Sequence, residues 1–113
     1  MHRISKKQQE NRQRLVAALR APLPEGFKWN FSILYESSPN GCSTGCAIGL
    51  AYKLEIITEP SYKDLTKALG LSKSRAQVIF VPAYFDNACA VGYDLPPYRI
   101  TPKIVASVLE REP

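Results

Sequence analysis

Cys46-Ala47-Ile48-Gly49-Leu50-Ala51-Tyr52-Lys53-Leu54 is apolar nearly all round, and it follows a turn at Ser37-Ser38-Pro39-Asn40-Gly41. A surface helix keeps a polar stripe, so a run without one reads as a helix enclosed by its neighbours, starting near Thr44. That reading decides the fold, because every other element then has to cover this helix.

Helix signals follow on its C-terminal side. Ser61 caps a helix with Asp64 at its third position; Leu65, Ala68 and Leu69 form its stripe, and Gly70 supplies the left-handed residue that stops it. Ser72 caps a second short helix, Lys73 to Phe80, closed by Pro82. Residues Val81 to Ile100 form a long connection rich in aromatics and proline. Thr101-Pro102 then opens a last helix with Ile104, Val105, Val108 and Leu109 on one face.

On the N-terminal side, Ser5-Lys6-Lys7-Gln8 fits a capping box, so a helix begins there, and Pro22 and Pro24 end it. Its apolar residues, Leu15, Val16, Ala18 and Leu19, lie in the second half. Residues 1–14 are therefore expected to project as a basic helical arm. Phe27, Trp29, Phe31, Ile33 and Tyr35 alternate with Lys28, Asn30, Ser32, Leu34 and Glu36, the period of a strand with one buried face. A lone strand leaves its backbone groups unpaired, so it either pairs with a short segment near Ala88 to Tyr93 or lies extended across helices.

Composition bounds the class. A chain of 113 residues with 45% apolar and 22% charged residues is one domain with its own core, and global disorder is excluded. The expected fold is mainly α, extending to α+β: a single compact domain, 1–113, of four to five helices with at most a short strand pair. There is no internal repeat. No window holds the ~20 apolar residues of a membrane helix, and Met1 to Gln13 is not a signal peptide. A cytoplasmic protein is expected, with Cys42, Cys46 and Cys89 reduced and the Asn30-Phe31-Ser32 sequon unused.

Charge is concentrated. Residues 1–20 hold Arg3, Lys6, Lys7, Arg12, Arg14 and Arg20 against Glu10, which accounts for the whole formal net charge of +5. The pI of 9.2 thus describes one segment and not a basic globular face.

The string Cys42-Ser43-Thr44-Gly45-Cys46-Ala47-Ile48-Gly49, then Leu69-Gly70-Leu71-Ser72 with Ala76 and Phe80, then Thr101-Pro102 with Val105, resembles a family of small uncharacterised proteins of bacteria and their phages. That family carries a C-x-T-x-x-C-A-x-G-like core, an L-G-L-S helix pair and a C-terminal T-P helix; this chain departs from the commoner C-G-T-x-A-C spacing. The resemblance spans roughly residues 29–110. It implies a small α-rich domain in a bacterial or phage setting, and no activity.

Each chemical motif has a plainer reading beside it. Gly41-Cys42-Ser43-Thr44-Gly45 matches the G-x-S-x-G nucleophile elbow, but the strand pattern ends at Tyr35 or Glu36 instead of running into it. The one histidine, His2, lies far from it in sequence, so no base is at hand for a serine or thiol nucleophile. Cys42 and Cys46 lack the redox C-x-x-C spacing. A zinc site would need Cys89 and Asp86 or Asp94, and buried thiols are the better reading. Gly41, Gly45 and Gly49 read as close helix packing more than as an anion cradle, since no P-loop lysine follows.

These readings lead to a non-enzymatic binding protein with no cofactor and no metal. The leading expectation is a bacterial or phage accessory protein that engages a protein partner through Tyr84, Phe85, Tyr93 and Tyr98, with inhibition of a host defence system as a candidate role. The alternative is a nucleic-acid-binding module. It would use Lys6, Lys7, Arg12 and Arg14 of the first helix and a helix-turn-helix-like segment, 62–81, presenting Lys73, Arg75 and Gln77.

Overall fold

The computed structural model describes residues 4–39, 41–80, 84–85, 89–90 and 99–112. At its centre lies a helix, Ala47–Lys53, whose first five residues are all buried. Four further helices and a small strand layer complete the fold around it. In chain order the elements are α1 (Lys6–Arg20), β1 (Phe27–Trp29), β2 (Tyr35–Ser37), β3 (Ser43–Gly45), α2 (Ala47–Lys53), α3 (Tyr62–Leu69), α4 (Lys73–Phe80), β4 (Tyr84–Phe85), β5 (Cys89–Ala90) and α5 (Pro102–Glu110). This is the expected α-rich, α+β single domain, with more β structure than one strand pair.

The strands depart from expectation in three ways. The alternating segment is not one strand. Asn30 breaks it: the Asn30 side chain accepts a bond from the Ser32 amide at 2.9 Å, and the Ile33 amide donates to the Asn30 carbonyl at 3.1 Å. Phe27 and Phe31 are nevertheless both buried, so the period of two reported burial correctly and backbone continuity wrongly. The partner is also different. β3 takes the middle of a sheet ordered β1-β3-β2, parallel to β1 and antiparallel to β2. Residues 89–90, expected near that strand, pair with β4 instead. Finally, Thr44 belongs to β3, so α2 starts at Ala47 with Cys46 as its N-cap.

Two glycines let the sheet approach α2. A Cβ built on Gly45 would lie 2.8 Å from the Leu34 carbonyl oxygen, and one on Gly49 would lie 2.7 Å from the same atom. The glycine spacing therefore serves close packing. A carbonyl oxygen aimed at these positions also disfavours an anion there. Above the sheet, the Tyr35 and Tyr52 rings meet edge to face at 4.9 Å. The Trp29 indole donates to the Ile100 carbonyl at 2.8 Å, tying β1 to the approach to α5.

The expected projecting arm is not found: α1 lies against the body along its described length. Its Leu15 and Leu19 are buried, and it packs along α5 and onto the end of α3. Polar residues, not apolar ones, dock its first half. The Gln8 Nε2 donates to the Lys67 carbonyl at 3.0 Å, and Asn11 Nδ2 to the Ala68 carbonyl at 3.0 Å. The Arg12 Nε and Nη2 donate to the Leu69 and Gly70 carbonyls at 2.6 and 3.0 Å. The last carbonyls of a helix have no partner within it, so α1 satisfies those of α3 in trans. The Arg12 cation also faces the negative end of the α3 dipole.

The core joins Phe27, Phe31 and Phe80 to a mainly aliphatic set: Ile48, Leu50, Leu65, Leu69, Ile79, Val105 and Leu109 are fully or almost fully buried, each worth about 1.5–3 kcal/mol of transfer free energy. No helix among the described residues is long and apolar enough to cross a membrane.

Candidate nucleic-acid interface

Local chemistry builds α3, its turn and α4. Ser61 Oγ accepts from the Asp64 amide at 3.1 Å, and Asp64 itself places a carboxylate in the first turn, where the helix dipole favours it. Gly70 ends α3 at φ 65°, ψ 37°, and the Leu71 amide returns to the Thr66 carbonyl at 3.1 Å. Ser72 Oγ accepts from the Arg75 amide at 3.2 Å, which caps α4. The Tyr62 hydroxyl donates to the Lys73 carbonyl at 3.0 Å and braces the pair; partial burial pushes this phenol's pKa up.

The result is two eight-residue helices joined by Gly70-Leu71-Ser72. Their facing side chains, Leu65, Leu69, Leu71, Ala76 and Ile79, are buried, while Lys73, Ser74, Arg75 and Gln77 are exposed on α4. A three-residue turn containing glycine is the joint of a helix-turn-helix. The first turn of α1 is pressed against it: a Cβ on Gly70 would lie 2.8 Å from both Ile4 Cγ2 and Gln8 Oε1. Lys6 and Lys7, both exposed, lie between Ile4 and Gln8 in sequence, and Lys67 is the residue whose carbonyl Gln8 holds.

The seven residues expected at a nucleic-acid surface separate into two groups. Lys6, Lys7, Lys73 and Gln77 are exposed, whereas each of the three arginines makes contacts within the fold. Arg12 is corrected to an internal residue, 8% exposed; burial pulls its guanidinium pKa down, and Glu112 pushes it back up. Its Nη1 also reaches the Glu112 carbonyl at 3.4 Å. Arg14 donates to the Leu54 carbonyl at 3.3 Å. Arg75 is engaged by Glu112, its Nε donating to Oε1 at 2.7 Å and its Nη2 to the same oxygen. Lys63 and Lys67, exposed on α3, were missed; their spacing of four around the stripe of Leu65 and Leu69 was the available signal.

Of the residues expected at a protein-binding surface, Tyr84 and Phe85 form β4, and Tyr93 and Tyr98 lie outside the described residues, as do His2, Asp86 and Asp94. Ser43 of the G-x-S-x-G string sits inside β3, buried, and its Oγ has no hydrogen-bond partner among the described residues. The strand does run toward a helix there, contrary to expectation, but the junction residue is Cys46. Burial raises the Cys46 thiol pKa, against the amides of Ile48 and Gly49 at the start of α2, and Sγ faces the Leu34 carbonyl. A buried, protonated thiol is a poor nucleophile. Cys42 is exposed and Cys46 buried, one preceding and one following β3. Among the described residues no three His, Cys, Asp or Glu side chains gather as for a metal ion.

An open groove of about 480 Å³ runs between α1 and α5, lined by Ile4, Gln13, Val16, Ala17 and Leu109. Its charged groups are already engaged: Arg12 with α3, and Arg20 with Glu110. Small-molecule sites need convergent polar groups, and the charged ones here, Glu112 with Arg75 included, face protein partners instead. The chain matches no family model, and no curated protein and no solved structure is found to be similar to it.

Proposed function

We propose that this chain is a non-catalytic module that docks on duplex DNA through α3, the Gly70 turn and α4. The observation that carries the reading is the burial pattern: Leu65, Leu69, Leu71, Ala76 and Ile79 inside, with Lys73, Ser74 and Gln77 outside at the start of the second helix. In a helix-turn-helix the N-terminal part of that second helix meets base edges in the major groove, while neighbouring elements hold the backbone. The Gln77 amide suits adenine N6 and N7, and the Ser74 hydroxyl suits either base. Lys6, Lys7, Lys67 and Lys73 supply cations for phosphates around the turn. The reading through the aromatic connection, with a protein partner, rests on residues 81–98 and lacks a comparable observation.

The test is a titration of labelled duplex DNA at about 50 and about 200 mM salt. Four lysine contacts give a log-log slope near −3.6, a loss of roughly 150-fold in affinity over that range. Lys73→Ala should lower the slope by about one unit and weaken binding to all sequences alike, whereas Gln77→Ala should relax sequence preference. Salt-insensitive or absent binding overturns the reading.

A further inference from the structure

The α4 helix carries one arginine, and arginine is the commonest reader of guanine. In this protein that guanidinium is already held. Both its Nε and its Nη2 meet Glu112 Oε1, and the carboxylate belongs to a residue that is itself anchored. The Glu112 amide donates to the Leu109 carbonyl at 3.1 Å, and the Glu112 carbonyl accepts from Arg12 Nη1. Backbone and side chain are thus fixed from α5, α1 and α4 together. The Glu112 side chain is 9% exposed, against 46% for Arg75.

We infer that Glu112 withholds Arg75 from DNA and so leaves base readout on α4 to Ser74 and Gln77. The inference rests on the DNA-binding reading above. Exposure decides the direction. A phosphate meeting Arg75 would do so at a solvated surface, where an ion pair gains little. Taking Arg75 away would leave an almost buried carboxylate short of one of its two cations, which is the larger loss. The pair therefore persists when DNA approaches, and Arg75 is the one basic residue of α4 that adds nothing to the interface. Without guanine-reading arginine, the surviving side chains favour adenine through Gln77. Glu112 is a positioning residue: it acts on selectivity through Arg75 and touches no base.

Four proteins test this in the same duplex titration: the parent, Arg75→Gln, Glu112→Ala and the double variant. Expected are parent-like affinity and salt slope for Arg75→Gln, and tighter binding with a slope about 0.9 steeper for Glu112→Ala, as one more phosphate is neutralised. The double variant should return to the parent slope. Circular dichroism melts accompany each protein; if Glu112→Ala fails to fold, Arg75→Gln alone decides. Weaker binding and a shallower slope for Arg75→Gln overturn the inference while leaving DNA binding intact. Salt-independent or absent binding by all four overturns the DNA reading, and this inference with it.

Discussion

Replacing Arg12 by alanine removes the donors that hold the Leu69 and Gly70 carbonyls at 2.6 and 3.0 Å. A buried polar group left unsatisfied costs about 1–3 kcal/mol, and the lost cation at the α3 C-terminus adds about 0.3–1 kcal/mol. Against this, the guanidinium is itself disfavoured by burial, as the depressed pKa records, so part of the loss is returned. The net expectation is about 3 kcal/mol of destabilisation, a large share of the roughly 5–15 kcal/mol that holds a domain together. In melting temperature this is a fall of about 10 °C for a chain of this size. Arg12→Lys should lose about half as much, because a single ammonium cannot serve the Leu69, Gly70 and Glu112 carbonyls in one planar fork. Urea unfolding followed by circular dichroism measures both. If Arg12→Ala unfolds within about 0.5 kcal/mol of the parent, as an ordinary surface substitution does, residues 4–14 are a solvated arm after all and the capping account is wrong.

Gly49→Ala reverses the usual sign of a helical glycine substitution. Propensity alone favours alanine by about 1 kcal/mol, but the new Cβ would stand 2.7 Å from the Leu34 carbonyl oxygen, part of a backbone with little room to retreat. Overpacking of about 1–3 kcal/mol should win, giving a lower urea midpoint; an unchanged or higher one contradicts the close approach. Cys46 should resist labelling by a thiol reagent near pH 8 while Cys42 reacts, with sites read by mass spectrometry; equal rates refute the burial of Cys46. Its thiol pKa is raised in the folded state, so the folded chain holds that proton more tightly than the unfolded one. The associated stability is complete below the ordinary thiol range and declines as pH rises beyond about 8.5, which pH-dependent unfolding measures.

Helix starts with a side-chain cap were legible because capping is local chemistry, whereas that of α2, whose N-cap Cys46 makes no such bond, was not. Ser5 with Gln8, Ser61 with Asp64 and Gly70, and Thr101 with Pro102 each make the contacts their spacing implied. The sheet was not legible. Ser43-Thr44-Gly45 has no apolar alternation, and its parallel pairing with Phe27–Trp29 is set by tertiary packing that no short window contains. The supposed arm failed for a related reason: the polarity of Gln8, Asn11 and Arg12 reads as affinity for water, and sequence does not reveal that carbonyls of α3 take water's place. At the candidate site, the joint at Gly70 and the exposed side chains of α4 followed from spacing alone. The engagement of Arg75 did not, since Glu112 lies 37 positions away along the chain.

The contact of Arg12 with Glu112 joins positions 100 apart in the chain, and α1 packs mainly on α5 and α3. During translation the helix α1, its capping box formed, therefore keeps part of its inner face uncovered until α5 has emerged. Such distant closure raises contact order above that of an up-and-down bundle of equal length. Folding should accordingly be slower than helix content suggests, with the docking of α1 on α5 a late step.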